Sequence, residues 1–195
     1  MKTAALLLSG VLCFSGCEIH IEGLDGLGDV TIGGTSIKGS GVRATETREL
    51  DEFRSIVISG SGNVTVEVGK EQSIEIEIDD NLLELIETKV SGEELVIGSE
   101  KSYSSERGLQ VRITMPEFEG IAISGAGEAD VTGIDGGELK FKISGSGDID
   151  PSGKADSISV AVSGSGDVDL FDLEADEASV KIAGLRSQIQ ARQAI

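Results

Sequence analysis

The sequence FKISGSGDID at residues 141–150 places two glycines, Gly145 and Gly147, inside a segment that otherwise alternates like a β-strand. Glycine weakens the interior of an isolated strand because it loses much conformational freedom on folding and offers no side chain for packing. Near-copies of the segment nevertheless recur as IVISGSGNVT from residue 56, IAISGAGEAD from residue 121 and VAVSGSGDVD from residue 160. This recurrence indicates that the glycines serve the architecture of the fold.

The copies follow one another at a nearly constant spacing. The residues that open the motif, including the alanine of a degraded copy VKIAGL, are Ser59, Ser124, Ser144, Ser163 and Ala183. The last four recur about every 20 residues, a period typical of a stacked coil or solenoid. Apolar residues and glycines share one face of each copy, which indicates half-buried strands. We therefore predict an all-β, solenoid-like fold in coils of about 20 residues, with the glycines inward where rows bend or touch.

The segment between the first and second motif contains a different pattern. Strands are predicted at SIEIEID (73–79), ELVIG (94–98) and LQVRITMP (109–116), and KSYSSERG is predicted to be a polar loop. NLLELI (81–86) is predicted to be a short helix capped by Asp79 or Asp80. We interpret this region as a small β-sheet inserted between the first coil and the others.

Three segments carry a resemblance to a known family: RELDEFRSIVISGSGNVTVEVG, then IEIEIDDNLLELIETKVSGEELVIG, then LQVRITMPEFEGIAISGAGEADV. In this order they resemble the family called "putative auto-transporter adhesin, head GIN domain", over about residues 43–183. That family is a domain of unknown function, common in exported proteins and lipoproteins of Bacteroidetes and related bacteria. The resemblance implies a right-handed, single-stranded β-helix-like fold and no established activity.

The C-terminal sequence AGLRSQIQARQAI departs from the family pattern, because apolar residues change face after Gly184. The final coil is therefore either a cap or a truncation. An uncovered last strand would invite edge pairing.

The N-terminus has the pattern of an export signal. An apolar run, ALLLSGVLCF, is too short to span a membrane and ends in Phe14-Ser15-Gly16-Cys17. This ending resembles a bacterial lipobox, with Phe14 in place of the usual leucine; the alternative is an ordinary signal peptide cut nearby. We predict a lipoprotein signal peptide at 1–16, a Gly-rich tether at 17–41, a head domain at 42–195, and lipidation of Cys17.

Composition excludes several classes of function. The net charge of −19 argues against nucleic acid as a partner. The sole histidine, His20, lies in the predicted tether, and no HExxH, G-x-S-x-G or P-loop motif is present. We therefore predict no catalytic, metal-binding or cofactor-binding residues and no cofactor.

Acidic residues are the remaining candidates for chemistry. If the copies stack in register, their acidic residues form two rows. Successive residues of one row lie about 4.8 Å apart, the spacing of neighbouring strands. The first acidic row is Glu128, Asp148 and Asp167, and the second acidic row is Asp130, Asp150 and Asp169. Stacked like charges destabilise a sheet, so the rows are either a solvated stripe, a calcium site or a carboxylate pair of a glycoside hydrolase. A lyase would add a basic residue, for which Lys142 and Arg186 are candidates.

Two functional hypotheses follow. The first is a non-enzymatic cell-envelope lipoprotein, exported and anchored through Cys17, most simply in the outer membrane. It would be an adhesin-like or structural module that binds a surface protein or polysaccharide. The alternative is a polysaccharide-active lyase or hydrolase on a β-helix, with calcium as a candidate requirement. The sequence leaves the ligand and the oligomeric state open.

Overall fold

The computed structural model describes residues 36–183 and the backbone of residues 189–191. By its internal contacts the chain divides into two units, Met1–Ser36 and Ile37–Ile195. The predicted signal peptide, Cys17 and most of the predicted tether lie outside the described residues. The second unit contains all the strands described below.

The described part of this unit contains sixteen strands and one short 3-10 helix. The first eight strands are β1 (Ile37–Lys38), β2 (Arg43–Arg48), β3 (Ser55–Gly60), β4 (Asn63–Val68), β5 (Ser73–Asp79), β6 (Ile86–Ser91), β7 (Glu94–Ser99) and β8 (Tyr103–Ser104). The last eight are β9 (Gln110–Met115), β10 (Gly120–Gly125), β11 (Glu128–Asp135), β12 (Glu138–Gly145), β13 (Asp148–Gly164), β14 (Asp167–Leu170), β15 (Leu173–Ile182) and β16 (Ile189–Ala191). The predicted all-β class is confirmed.

The helix spans Asp80–Leu85 and buries Leu82 against the sheet. A short helix was predicted here, and its presence is confirmed. Asp79 stands at the N-cap position, but it is buried as the last residue of β5 and its side chain makes no capping hydrogen bond. The Asp80 carboxylate accepts hydrogen bonds from the N–H of Asn81 at 2.7 Å and from the Ser40 hydroxyl. These bonds tie the helix start to the segment before β2. Asp79 is therefore the N-cap residue, as one of the two predicted alternatives had it, but its side chain does not cap the helix.

Most strands belong to one curled open sheet. Its eleven-strand path runs β2-β5-β9-β4-β11-β13-β12-β10-β3-β7-β6, with β14, β15 and β16 attached beside it. The 17-residue strand β13 joins two parallel runs, because its first part pairs with β11 and its last part with β12. The first run is β7, β3, β10, β12, β13 and β15; the second run is β9, β4, β11, β13, β14 and β16.

The repeated segments stack in register within the first run. Ile121 pairs with Phe141, Phe141 with Val160, and Val160 with Val180. The offsets between these paired residues equal the spacing of the motif in the sequence. Identical positions therefore face the same side of the sheet, and their apolar side chains form a continuous core. Phe141 also packs against Phe118, with ring centroids 6.4 Å apart.

The prediction of an inserted, separate small sheet is wrong. Strand β7 pairs in parallel with β3, and β9 pairs in parallel with β4. The two strands therefore extend the two runs by one more row. Their buried apolar positions, such as Leu95 and Val111, continue the core faces of β3 and β4, which is why they join the same sheet. The predicted polar loop after β7 also contains β8, which pairs with β1.

Two antiparallel additions cover this end of the sheet. Strand β6 pairs with β7, while β5 pairs with β9 and β2 pairs with β5. The resulting edge strands are tied together by Arg48 of β2. Its guanidinium donates hydrogen bonds to the Ile86 carbonyl at 2.6 Å, the Thr88 hydroxyl at 3.0 Å and the Leu83 carbonyl at 3.1 Å.

Candidate functional site

The first glycine of each motif lies where one strand ends and the chain turns a corner. Gly125 and Gly145 have φ of 143° and 149°, which L side chains rarely adopt. A Cβ at Gly145 would also overlap the carbonyl oxygen of Gly125 in the row beside it. That carbonyl accepts a hydrogen bond from the N–H of Ser146 at 2.8 Å. The predicted role of these glycines, a bend with close contact between backbones, is confirmed.

The second glycine of each motif sets the start of the following strand. A Cβ at Gly147 would lie 2.6 Å from the Gly127 carbonyl oxygen, closer than any side chain tolerates. The same carbonyl accepts a hydrogen bond from the N–H of Asp148 at 2.9 Å, and the N–H of Glu128 donates to the Gly62 carbonyl at 3.0 Å. The corner thus fixes a polar residue at the first position of the new strand, on the outward face. This residue is Asn63 in β4 and an acidic residue in β11, β13 and β14.

The first acidic row is aligned as predicted. Glu128 pairs with Asp148, and Asp148 pairs with Asp167. The Asp148 carboxylate also accepts a hydrogen bond from the backbone N–H of Asp167 at 3.1 Å. One row of the stack therefore offers an acceptor to the backbone of the next.

The second acidic row is aligned at Asp130 and Asp150, which pair directly. Asp169 follows Val168, the residue that pairs with Ile149. Its carboxylate accepts a hydrogen bond from the backbone N–H of Phe171 at 2.9 Å, so it also stabilises the turn after β14.

At the other end of the second run, the two rows continue with residues that are not acidic. Beside Glu128 and Asp130, strand β4 presents Asn63 and Thr65, and the next strand β9 presents Gln110 and Arg112 at the same positions. The two acidic rows are therefore confined to β11, β13 and β14. Gln110 and Arg112 were not singled out from the sequence, because the β9 segment lacks the glycine motif that reveals register.

Three carboxylates come close together where the two acidic rows meet. Ligand oxygens of Glu128, Asp130 and Asp150 lie within 4.8 Å of one another, and all three residues are exposed. Partial burial raises the pKa of Asp150 above its ordinary value of 3.8, and the charges of Asp130, Asp169, Glu128 and Asp148 raise it further, in decreasing order. Water and salt screen an open acidic face of this kind, and exposed clusters are common without a cation, so the geometry carries no metal assignment.

Of the two candidate bases for a lyase, Lys142 is described, and it is not paired with these carboxylates. Lys142 lies on β12 and pairs with Ala122 on one side and Ala161 on the other. Arg186 and His20 lie outside the described residues. An open recess of about 350 Å³ lies elsewhere, lined by Glu49, Leu50, Asp51 and Val90. Nothing in the sequence pattern marks that recess.

Among the described residues, no helix has the length and apolar character needed to cross a membrane.

Several solved structures share this fold. A protein from Parabacteroides distasonis described as a "putative adhesin" is 18% identical, with a TM-score of 0.73 over 82% of this chain and 68% of that chain. A "putative adhesin" from Bacteroides fragilis is 17% identical, with a TM-score of 0.55 over 80% of this chain and 100% of that one. A "putative lipid binding protein" from Parabacteroides distasonis is 17% identical, with a TM-score of 0.56 over 82% and 100%. At these identities the likeness shows the fold alone.

Comparison by sequence gives the family. No curated protein matches the chain. The family profile described as "Putative auto-transporter adhesin, head GIN domain" matches residues 52–193. This range includes every glycine motif, both acidic rows and most of the strands that close the first end of the sheet. The chain belongs to the head GIN domain family.

Proposed function

We propose that the protein is a non-enzymatic, adhesin-like module of the bacterial cell envelope that binds a surface protein or a polysaccharide. The observation that carries this proposal is the repetition of identical outward groups at strand spacing. Ser124, Ser144 and Ser163 are paired in register on one run, and the acidic rows repeat on the other. A regular array of hydroxyl and carboxylate groups suits a ligand whose own groups repeat, as in a polymer.

Two further points support the proposal. The family and the similar structures carry adhesin descriptions, although fold alone does not give function. The surface adds its own support, because the clustered carboxylates are exposed and Lys142 is not paired with them. A surface of parallel rows provides many equivalent weak contacts, which favours avidity over turnover.

The anchor is part of the same proposal. Residues 1–16 would be a lipoprotein signal peptide, Cys17 the lipidated residue, 17–41 the tether and 42–195 the head, held at the outer membrane. Acyl chains on Cys17 would supply the membrane affinity, at about 0.8 kcal/mol per buried methylene. Replacing Cys17→Ala should move the protein from the membrane fraction to the soluble fraction, whereas Cys13→Ala should not. Retention of the Cys17→Ala variant in membranes would contradict the anchor.

We also propose a handedness and a path for the chain, which the strand pairing alone does not give. The two parallel runs would form a right-handed, single-stranded β-helix with turns of about 20 residues. The nearly constant offset between the paired strands β10, β12, β13 and β15 supports this geometry. A crystal structure of the protein tests it, and a left-handed or interrupted path would overturn it.

Ligand binding is best tested on an array of bacterial and host polysaccharides with the purified full-length protein. We expect binding that weakens when the second acidic row is neutralised by Asp130→Asn with Asp150→Asn. The matched control is Glu84→Gln with Glu87→Gln, which removes the same charge from exposed positions outside the acidic rows and outside β15. An equal loss of binding in both double variants would mean that the acidic rows act only through the net charge of the protein. Equal binding by the original protein and both variants would mean that the rows do not bind the ligand.

The enzymatic alternative has its own readout. Polysaccharides incubated with the protein, with calcium or with a chelator, should remain at full length. Cleavage that is abolished by Asp150→Asn and retained by Asp176→Asn would replace the adhesin-like proposal with a catalytic one.

A further inference from the structure

The last row of the first run has one unpaired side in the described part of the chain. Strand β15 pairs with β13 from Gly153–Leu173 to Val162–Ile182. No other described strand pairs with β15. Its second row of backbone N–H and C=O groups therefore forms a sheet edge along a strand of 10 residues, which is a template for another strand.

Apolar side chains of this strand are exposed although they continue the core. Val160 and Val162 of β13 are 1% and 2% exposed, whereas their partners Val180 and Ile182 are 46% and 48% exposed. The positions are equivalent; the difference is that β13 has a strand on both sides and β15 has a described strand on a single side. A further strand along β15 would remove this apolar surface from water.

We propose that β15 pairs with β15 of a second copy of this chain, in antiparallel orientation, around a two-fold axis at Ser179. The charge pattern selects this occupant and this orientation. In this register Glu177 lies opposite Lys181 of the other copy, twice by symmetry, and Ala178 lies opposite Val180. In-register parallel pairing would instead place Glu177 opposite Glu177 and Lys181 opposite Lys181, which is destabilising.

The other end of the sheet does not offer an equivalent partner. Its edge strands β2 and β6 are linked by the hydrogen bonds of Arg48, so their exposed edges are already drawn together. Head-to-tail stacking of copies would have to break this link. An isologous dimer through β15 uses the same strand on both copies and closes after two.

Cysteine cross-linking tests the axis. With the full-length Ser179→Cys variant under mild oxidation, we expect a disulfide-linked dimer whose linked peptide contains residue 179 from both copies. The matched control is Ser159→Cys, because Ser159 is exposed and pairs with Ser179, but its strand has neighbours on both sides. Equal cross-linking at both positions would overturn the proposal.

Charge exchange tests the register. In sedimentation of the full-length protein, Lys181→Glu or Glu177→Lys should each weaken dimerisation about tenfold or more, because each creates like-charge pairs twice. The double variant Glu177→Lys with Lys181→Glu should recover the original affinity, because it restores the opposite-charge pairs. Such recovery would show that neither substitution by itself prevents folding or pairing. A monomer at all concentrations, with slow amide exchange in β15, would show that the chain's own residues cover this edge and would overturn the proposal.

Discussion

The two ends of the stacked sheet are finished in different ways. At the first end, antiparallel strands cover β7 and β9, and Arg48 links the two outer strands. At the last end, β15 continues the rows without a described strand beyond it, and its apolar residues are exposed. Natural sheets protect their edges when these would otherwise pair with other chains. Within the described residues, the stack is therefore covered at one end and has an unpaired strand edge at the other.

The surface differs along the same direction. Near the first end the outward positions carry Asn63 and Gln110, or Thr65 beside Arg112. In β11, β13 and β14 the equivalent positions of the two rows carry only carboxylates. Four experiments would sharpen or break this contrast between the closed end, where the two rows continue with neutral and basic side chains, and the acidic rows and open edge beyond it.

The largest effect is expected at the corner glycines. Gly145→Ala should cost about 4 kcal/mol, because the new Cβ meets the Gly125 carbonyl in addition to the strained backbone. Gly60→Ala should cost about 2 kcal/mol, since Gly60 has φ of 118° but no atom within 4 Å of the added Cβ. Urea unfolding measures both. Equal costs would mean that backbone strain, not contact between rows, dictates the glycines.

A smaller effect is expected at the closed end. Arg48→Ala should lower the unfolding free energy by about 3 kcal/mol, because it removes charge-assisted hydrogen bonds to two carbonyls and leaves them without this donor. The control is Arg54→Ala, whose side chain is 44% exposed and forms ion pairs with exposed glutamates. That change should cost at most about 1 kcal/mol. A similar cost for both would mean that Arg48 does not hold the closed end.

The open end is tested by replacing two paired valines, Val160 of β13 and Val180 of β15, with alanine. Val160→Ala should cost about 2 kcal/mol, because it leaves a cavity in the core. Val180→Ala should cost less than about 0.5 kcal/mol in dilute protein, since the side chain is half exposed. Raising the protein concentration should increase the second value if β15 pairs with a second copy. A large cost at every concentration would show that Val180 is already covered in the single chain.

The smallest effect is expected in the acidic rows. The pKa of Asp150 is raised in the folded state, so ionisation of this carboxyl opposes folding at neutral pH. Asp150→Asn should therefore stabilise the protein by about 0.5 kcal/mol at pH 7, after screening by solvent. This gain should disappear below the ordinary pKa of 3.8, where Asp150 is protonated in both states.

Thermal unfolding between pH 3 and pH 8 measures this gain, with Asp176→Asn as the exposed control. A gain that persists at pH 3, or one that is equal in the control, would contradict the explanation. Addition of calcium provides a second comparison. If calcium raises the melting temperature of the original protein but not of Asp150→Asn, then a cation, not water alone, screens the rows.

Much of the stack could be predicted from the sequence, because the motif itself encodes register. The spacing of Ser144 and Ser163 equals the offset between their paired strands, so the alignment of Asp148 with Asp167 could be inferred directly. The inward glycines could be predicted for the same reason. A corner that brings two backbones together requires the same residue in each row.

The rows at the first end could not be predicted in this way. Leu109, which precedes β9, packs beside Gly62 where the other rows have a second glycine. With no glycine to mark the corner and no regular spacing from the other copies, β9 had the pattern of an ordinary strand. The link through Arg48 also escaped prediction, since it joins residues 38 and 40 positions apart in the sequence and includes backbone carbonyls as acceptors.

The corner glycines also determine how the length of this domain can vary. At the corner, the backbone of each row lies against the backbone of the row before it. Gly145 contacts Gly125 in this way, and Gly164 contacts Gly145. Duplicating a whole repeat would therefore extend the domain by one strand spacing, about 4.8 Å, with every existing contact preserved. Duplicating half a repeat would place a side chain where only glycine fits. The reach of such a domain can change only in whole steps.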